Sequence, residues 1–180
     1  LAENSRSTLG FKDGLNGPHA ARTMMLTELR LLLGHTHPQA SRADYSSAIV
    51  DENVLGKPTR KARELTLGHL RALYSLDTTN PIFRALRRLW PLSEAAQPLL
   101  ALAVALARDP LLRATRDFIL GQPLGAAVSR ETVERFLAQS YPDRFSPASL
   151  KSFAQNVSGS WTAAGLLSGY RNKTRSQPLA

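Results

Sequence analysis

The chain has 180 residues and carries a net charge of +9, from 23 Lys and Arg against 14 Asp and Glu. Its length suits one compact domain with its own hydrophobic core, and the lack of cysteine excludes disulfide frameworks and thiolate metal sites. The basic excess favours a polyanionic partner such as nucleic acid, with an acidic protein as the alternative.

Helical periodicity runs through the first half of the chain. Residues 1–18 contain several glycines and predict a flexible lead-in. Helices are then expected over about 20–33, 41–53 and 59–76, where apolar residues recur every three or four positions. The apolar face of the third helix is expected to hold Ala62, Leu65, His69, Leu73 and Leu76.

The segment NPIFRALRRLW, residues 80–90, predicts a helix that begins after Asn80. On a helical wheel its apolar side chains fall on one side, and Arg84, Arg87 and Arg88 fall on the other. Like charges at these spacings repel by about 0.2–0.5 kcal/mol per pair. The isolated helix gains nothing from this arrangement, whereas an anionic partner would be bound by it.

The second half continues the helical pattern. The run LLALAVALA at 99–107 is far shorter than the roughly 20 apolar residues that cross a bilayer, so it predicts a buried helix and no membrane partner. Further helices are expected to begin near residues 109, 129 and 146. No stretch alternates as a strand does. We therefore predict an all-α bundle of about eight or nine helices, with a single domain over 19–170, a possible join between sub-lobes near 121–129, and a basic tail over 171–180.

Catalytic and metal-binding motifs are absent from the sequence. His35 and His37 have no third ligand at a convincing spacing, and neither an HExxH zinc motif, a GxSxG nucleophile motif nor a glycine-rich phosphate loop occurs. We therefore expect a non-enzymatic protein with no catalytic residues, no metal and no cofactor. The first residues lack the apolar core of a signal peptide, and a cytoplasmic location is expected.

The stretch KPTRKAR at 57–63 is a second basic segment, and it spans a loop and a predicted helix N-terminus. Free N–H groups and the helix dipole attract phosphate to such a position. Thr59 and the amides after it are therefore candidates to contact one phosphate, while nearby cations neutralise others. The alternative is that Thr59 is a plain cap and the charges are solvated. The candidate cations are Lys57, Arg60, Lys61 and Arg63.

The third basic segment is the C-terminal part, which has no acid after Asp143. Tyr170 lies beside a cation there and is expected either to stack on a ligand or to anchor the tail. The candidate binding residues are Lys151, Arg171, Lys173 and Arg175. We expect all three basic segments to gather into one electropositive surface.

The order and spacing of several segments resemble BrxA, the small helical component of BREX phage-defence systems. The resemblance covers most of the chain from about residue 25, and the glycine-rich start matches least. It is carried by residues 45–49, NVLGKPTRKARE (53–64), LYSLD (73–77), FRALRRLW (83–90), LLALAVALARDPLLRATRDFIL (99–120) and SLKSFAQNVSGSWTAAGLL (149–167).

This resemblance implies an all-helical fold similar to that of the NusB-type RNA-binding proteins. It also implies a DNA-binding, non-enzymatic role beside the other proteins of the defence system. Together with the charge pattern, it leads us to expect binding of double-stranded DNA mainly through phosphates, because no helix carries an evident set of base-reading side chains. Two alternatives remain open: a protein–protein adaptor that meets acidic partners, and an RNA-binding regulator of the NusB type.

Overall fold

The computed structural model describes the backbone of residues 2–178 and the side chains of residues 6–178. The chain is predominantly α-helical in this range, which confirms the predicted all-α class. The helices are α1 (Ala2–Leu9), α2 (Leu26–His35), α3 (Arg42–Val50), α4 (Arg60–Tyr74), α5 (Pro81–Leu89), α6 (Gln97–Arg108), α7 (Pro110–Ala114), α8 (Arg116–Leu120), α9 (Arg130–Ser140) and α10 (Pro147–Ala163), with short 3-10 helices at Pro18–Ala20 and Trp90–Leu92.

Most of these helices begin at side chains that the sequence marks as caps. Ser41 forms a capping box with Asp44, so that each residue's side chain accepts a hydrogen bond from the other's backbone N–H. In α5, α7 and α10 a proline follows the cap, where its missing N–H leaves no helical hydrogen bond unmade. The capping side chains of α4, α5, α7, α9 and α10 are Thr59, Asn80, Asp109, Ser129 and Ser146.

The core is one cluster of apolar side chains drawn from α2 through α10. The ring of Tyr45 packs edge-on against Phe83, with 5.5 Å between centroids. Trp161 is fully buried, and its indole N–H donates to the Thr115 hydroxyl at 3.0 Å. The buried face of α6 confirms the prediction for 99–107. None of the helices within residues 2–178 has both the length and the apolarity that a membrane crossing requires.

The predicted inward face of α4 is confirmed at its end, where Leu73 is fully buried, but it is wrong in phase nearer the start of the helix. Leu65 is 54% exposed, and His69 is only half-buried, whereas Thr66 and Tyr74 lie in the core. Both buried polar groups are satisfied, because the Thr66 hydroxyl donates to the Ala62 carbonyl at 2.7 Å and the Tyr74 hydroxyl donates to a backbone carbonyl. A pattern that counts only apolar residues therefore places this face about one residue away from the observed one.

The N-terminal residues differ from the predicted loose lead-in, because 2–9 form α1 and the residues after it contact α6. The Arg108 guanidinium donates to the Gly10 carbonyl at 2.7 Å, and the Lys12 N–H donates to the Ala107 carbonyl at 3.0 Å. The next long helix starts at Leu26 and not near residue 20, since Met25 adopts a left-handed conformation with φ of 52°. Leu1 lies outside the described residues.

The predicted basic tail is also part of the fold up to residue 178. Strand β1 (Leu167–Ser168) pairs antiparallel with β2 (Thr174–Arg175), and the Val128 N–H donates to the Lys173 carbonyl at 2.8 Å. Two-residue strands carry no detectable alternation, which explains why the sequence did not reveal them. This hairpin lies against the stretch where a join was predicted, and core residues from both sides of that stretch belong to the same cluster.

Candidate nucleic-acid interface

Most of the basic segment 57–63 is engaged within the fold. The Lys57 ammonium lies 3.0 Å from Glu28, and Arg60 lies within ion-pair distance of Asp51 and Glu64, at 3.5 and 3.1 Å. The two Arg60 pairs are exposed, and pairs of that kind contribute little to stability. Together with the Lys57 pair, they do, however, place a carboxylate beside two of the cations that were expected to meet phosphate.

Of the other candidates in this segment, two make hydrogen bonds within the fold and one is exposed. The Thr59 hydroxyl accepts from the Ala62 N–H at 3.1 Å, which is the plain capping role. The Arg63 guanidinium donates to the Val50 carbonyl at 3.0 Å and ties the start of α4 to the end of α3. Lys61 is exposed, and within the described residues it has no carboxylate at ion-pair distance.

Arg87 corrects the predicted cationic face of α5. Its side chain is only 6% exposed, and its two terminal nitrogens donate to the carbonyls of Leu33 and Thr36 at 3.0 and 2.8 Å. These carbonyls belong to the end of α2, where helical partners run out and a positive charge is favoured. Burial lowers the pKa of Arg87, and the neighbouring Tyr45 hydroxyl partly offsets that effect. Arg87 therefore holds α2 against α5 and does not belong to an exposed interface.

Arg84 and Arg88 remain on the exposed side of α5, one helical turn apart. Arg84 donates to the carbonyls of Thr78 and Thr79 at 3.2 and 3.5 Å, so its orientation is set without neutralising its charge. Neither arginine has a carboxylate within ion-pair distance in the part of the chain that the structure describes. We call the hollow of about 410 Å³ beside them the α5 cleft; it is lined by Pro38, Gln39, Thr78, Arg84, Arg87 and Arg88.

The C-terminal candidates surround a second hollow of about 550 Å³, here called the C-terminal cavity. Arg171 is exposed at its edge, whereas the half-buried Lys173 donates to the Thr162 hydroxyl at 2.9 Å. Arg175 is turned inward and donates to the carbonyls of Leu166 and Ser176. Lys151 is exposed on α10, four residues before a lining residue of the cavity. The lining residues are Arg130, Glu131, Gln155, Ser158, Gly159, Tyr170, Arg171, Asn172 and Lys173.

Neither hollow brings the three basic segments together. Of the predicted cations, the α5 cleft is lined only by those of the 80–90 segment, and the C-terminal cavity takes none from 57–63 or 80–90. Predicted residues that retain an exposed charge without a carboxylate partner, among those described, are Lys61, Arg84, Arg88, Lys151 and Arg171.

Sequence reasoning missed a buried polar network around His19. His19 Nδ1 lies 2.7 Å from Asp109 Oδ2, and His19 Nε2 lies 2.8 Å from Ser160 Oγ. All three side chains are fully buried. Their only local signal was the Asp109-Pro110 helix start, because the three residues are far apart in the chain.

The order Asp109–His19–Ser160 is that of an orienting acid, a base and a nucleophile. Here the Ser160 oxygen also accepts from the Met24 N–H at 2.8 Å and lies 3.1 Å from the Asn156 carbonyl. A hydroxyl that is buried and surrounded by protein groups cannot reach a substrate carbonyl, so the network fixes the packing of α7 and α10 around the residues before α2. No group of three or more metal-ligating side chains occurs among the residues described.

The fold and these surfaces define an all-α protein in which cations line both the α5 cleft and the C-terminal cavity. The sequence matches no protein-family model and no curated protein sequence.

Proposed function

We propose that this protein binds double-stranded DNA through its phosphate backbone and has a non-enzymatic role. The observation that carries the proposal is the pair Arg84 and Arg88, which are exposed one turn apart beside the α5 cleft and have no carboxylate partner among the described side chains. Four residues of helix separate the two positions by about 6 Å along the axis. Guanidinium groups bind phosphate oxygens in a planar fork, which suits them to this contact.

The arrangement favours phosphate contacts over base reading. Around the α5 cleft the only side-chain amide is that of Gln39, whereas base recognition in the major groove uses several amide and guanidinium groups along one element. Binding that depends on phosphate contacts weakens steeply as the salt concentration rises, because the release of counterions from the DNA then gains less entropy.

The resemblance to BrxA supplies the biological setting of the proposal. By that likeness, the protein acts as a component of a bacterial BREX-type phage-defence system, together with other proteins of that system. RNA binding of the NusB type would use the same exposed cations, but its preference for RNA rests on the predicted fold similarity alone.

A protein–protein adaptor is the second candidate, and one observation favours it. Leu89 and Leu92 are 45% and 75% exposed beside Arg88. Exposed apolar side chains next to unpaired cations suit the rim and centre of a protein interface as well as they suit a DNA surface.

Fluorescence anisotropy with a labelled 30-base-pair duplex at two salt concentrations tests DNA binding. For the double variant Arg84→Gln/Arg88→Gln we expect weaker binding and a log–log salt slope reduced by about 0.9 for each lost phosphate contact. The control is Arg6→Gln/Arg116→Gln, which removes the same charge from exposed arginines that already have acidic partners. Absence of salt-dependent binding, or equal binding by both double variants, contradicts the proposal.

A further inference from the structure

The C-terminal cavity has the dimensions and the chemistry of a site for a small ligand. Its volume of about 550 Å³ lies within the range of roughly 300–1,000 Å³ that is usual for such sites. It is bounded by the start of α9, the middle of α10 and the turn between β1 and β2. Nothing in the proposed contact of Arg84 and Arg88 with DNA involves this cavity.

The turn between the strands presents an aromatic ring on a defined backbone. Tyr170 is 89% exposed. The preceding residue, Gly169, has φ of 94°, and an added Cβ there would lie 2.3 Å from the Asn172 carbonyl oxygen. Only glycine fits so tight a turn. Tyr170 is therefore held by the hairpin at the edge of the cavity, with its ring available for stacking.

Two cations line the same cavity as this ring. Arg171 is exposed, and among the described residues no carboxylate lies within ion-pair distance of it. The Lys173 ammonium donates to the Thr162 hydroxyl and to the Gly169 carbonyl, at 2.9 and 3.3 Å, which leaves its third N–H for a ligand. Burial lowers the pKa of Lys173, as expected for a cation without a partner carboxylate.

The acidic residue of the cavity is already neutralised. Arg130 lies 2.7 Å from Glu131 and 2.8 Å from Glu134, at the first turn of α9. Arg130 is therefore occupied by protein carboxylates, and the charge left over for a ligand comes from Arg171 and Lys173.

The remaining lining groups are neutral and polar. Gln155 and Asn172 are exposed amides, each of which offers both a donor and an acceptor. Ser158 is 3% exposed, and its hydroxyl has no hydrogen-bond partner within the described part of the chain. Amides beside a stacking ring suit the polar edge of a nucleobase, and cations beside the same ring suit its phosphate.

We propose that the C-terminal cavity binds one unpaired nucleotide, with the base stacked on Tyr170 and the phosphate bound by Arg171 and Lys173. The bases of an intact duplex hide their faces in the stack, so this contact is distinct from backbone binding. An unpaired nucleotide within a strand and a free mononucleotide share this chemistry. For the strand as the source, the inference rests on the proposed binding of DNA.

The test compares a labelled 30-base-pair duplex with the same duplex carrying one extra unpaired adenosine, by fluorescence anisotropy at low salt. We expect the wild-type protein to bind the bulged duplex about 5- to 150-fold more tightly, the range that corresponds to one stacked base. Tyr170→Leu should abolish this preference while it leaves the affinity for the intact duplex unchanged. Tyr170→Phe should retain the preference, since it keeps the ring.

Charge is tested with Arg171→Gln and the control Arg116→Gln, whose arginine is paired with Asp117. Only Arg171→Gln should weaken binding of the bulged duplex more than that of the intact one. Adenosine monophosphate is titrated separately, and binding of it that requires Tyr170, without any preference for the bulge, identifies the free nucleotide as the ligand.

Equal wild-type affinity for the two duplexes, with no Tyr170-dependent binding of the mononucleotide, overturns this inference. If the wild-type protein binds neither duplex, the proposed DNA function is overturned instead. The mononucleotide titration then decides by itself whether the cavity binds a nucleotide. A preference for the bulge that survives Tyr170→Leu also counts against the cavity.

Discussion

His19 Nδ1 lies 2.7 Å from Asp109 Oδ2, although the two residues are 90 positions apart and both are sealed from solvent. Asp109 also accepts from the backbone N–H of His19 at 2.9 Å and from the N–H of Leu111 at the start of α7. Gly17 lies so close that an added Cβ would come within 1.8 Å of the carboxylate. One carboxylate thus joins the segment before α2 to the start of α7.

We expect Asp109→Asn to lower the free energy of unfolding by about 1.5–3 kcal/mol, because the substitution disrupts hydrogen bonds that a buried carboxylate accepts from His19 and from the start of α7. Urea denaturation measures the change. Asp117→Asn is the control, since Asp117 is exposed and pairs only with Arg116 at 2.8 Å. Its effect should be below about 1 kcal/mol. A similar loss in both variants would show that the buried network is not the cause.

Stability should also depend on pH through Asp109. Burial by itself would raise the pKa of this carboxyl, but hydrogen bonds and electrostatic attraction from His19 outweigh burial and hold the pKa below its usual value. A carboxyl with a lowered pKa in the folded state stabilises the protein above its unfolded pKa of about 3.9, and this contribution is lost as the pH falls. Urea titrations between pH 6 and 3 should show the loss in the wild type, and a smaller one in Asp109→Asn. Parallel curves for the two proteins would contradict this assignment.

The same substitution at two neighbouring arginines of α5 should change stability by very different amounts. Arg87→Met removes two hydrogen bonds from a buried charged group to the end of α2, so we expect a loss of about 1.5–3 kcal/mol in the free energy of unfolding. Arg88→Met should change that free energy by less than about 0.5 kcal/mol, because Arg88 is exposed. Denaturation of both variants, with DNA binding measured on Arg88→Met, checks this; a destabilised Arg88→Met would place both arginines in the fold.

The inward face of α4 can be tested with two leucines. Leu70 is fully buried and Leu65 is 54% exposed. Leu70→Ala should therefore cost about 2–5 kcal/mol, as expected for a cavity in a packed core. Leu65→Ala should change stability by no more than about 0.5 kcal/mol. Thermal and urea denaturation distinguish the two faces. The predicted face would require Leu65→Ala to lose more free energy of unfolding than Leu70→Ala.

Local patterns in the sequence were enough to predict the helical class and most helix starts. The helix starts after Ser41, Thr59 and Asn80 were predicted correctly, because a cap is decided by residues within one turn of each other. The inward face of α4 was predicted only in part, since the burial of Thr66 and Tyr74 depends on partners that satisfy their hydroxyls.

The candidate site, too, was determined in part by the sequence and in part by tertiary contacts. Its composition, an arginine-rich chain with a net charge of +9, is a property of the sequence alone. Only the tertiary structure decided which cations remain exposed, because the carbonyls that bind Arg87 lie more than 50 residues before it and the carboxylate beside Lys57 lies 29 residues before it. Net charge and helical periodicity depend on residues that are close together in the sequence. The partner of a given charge depends on which distant segments come into contact when the core packs.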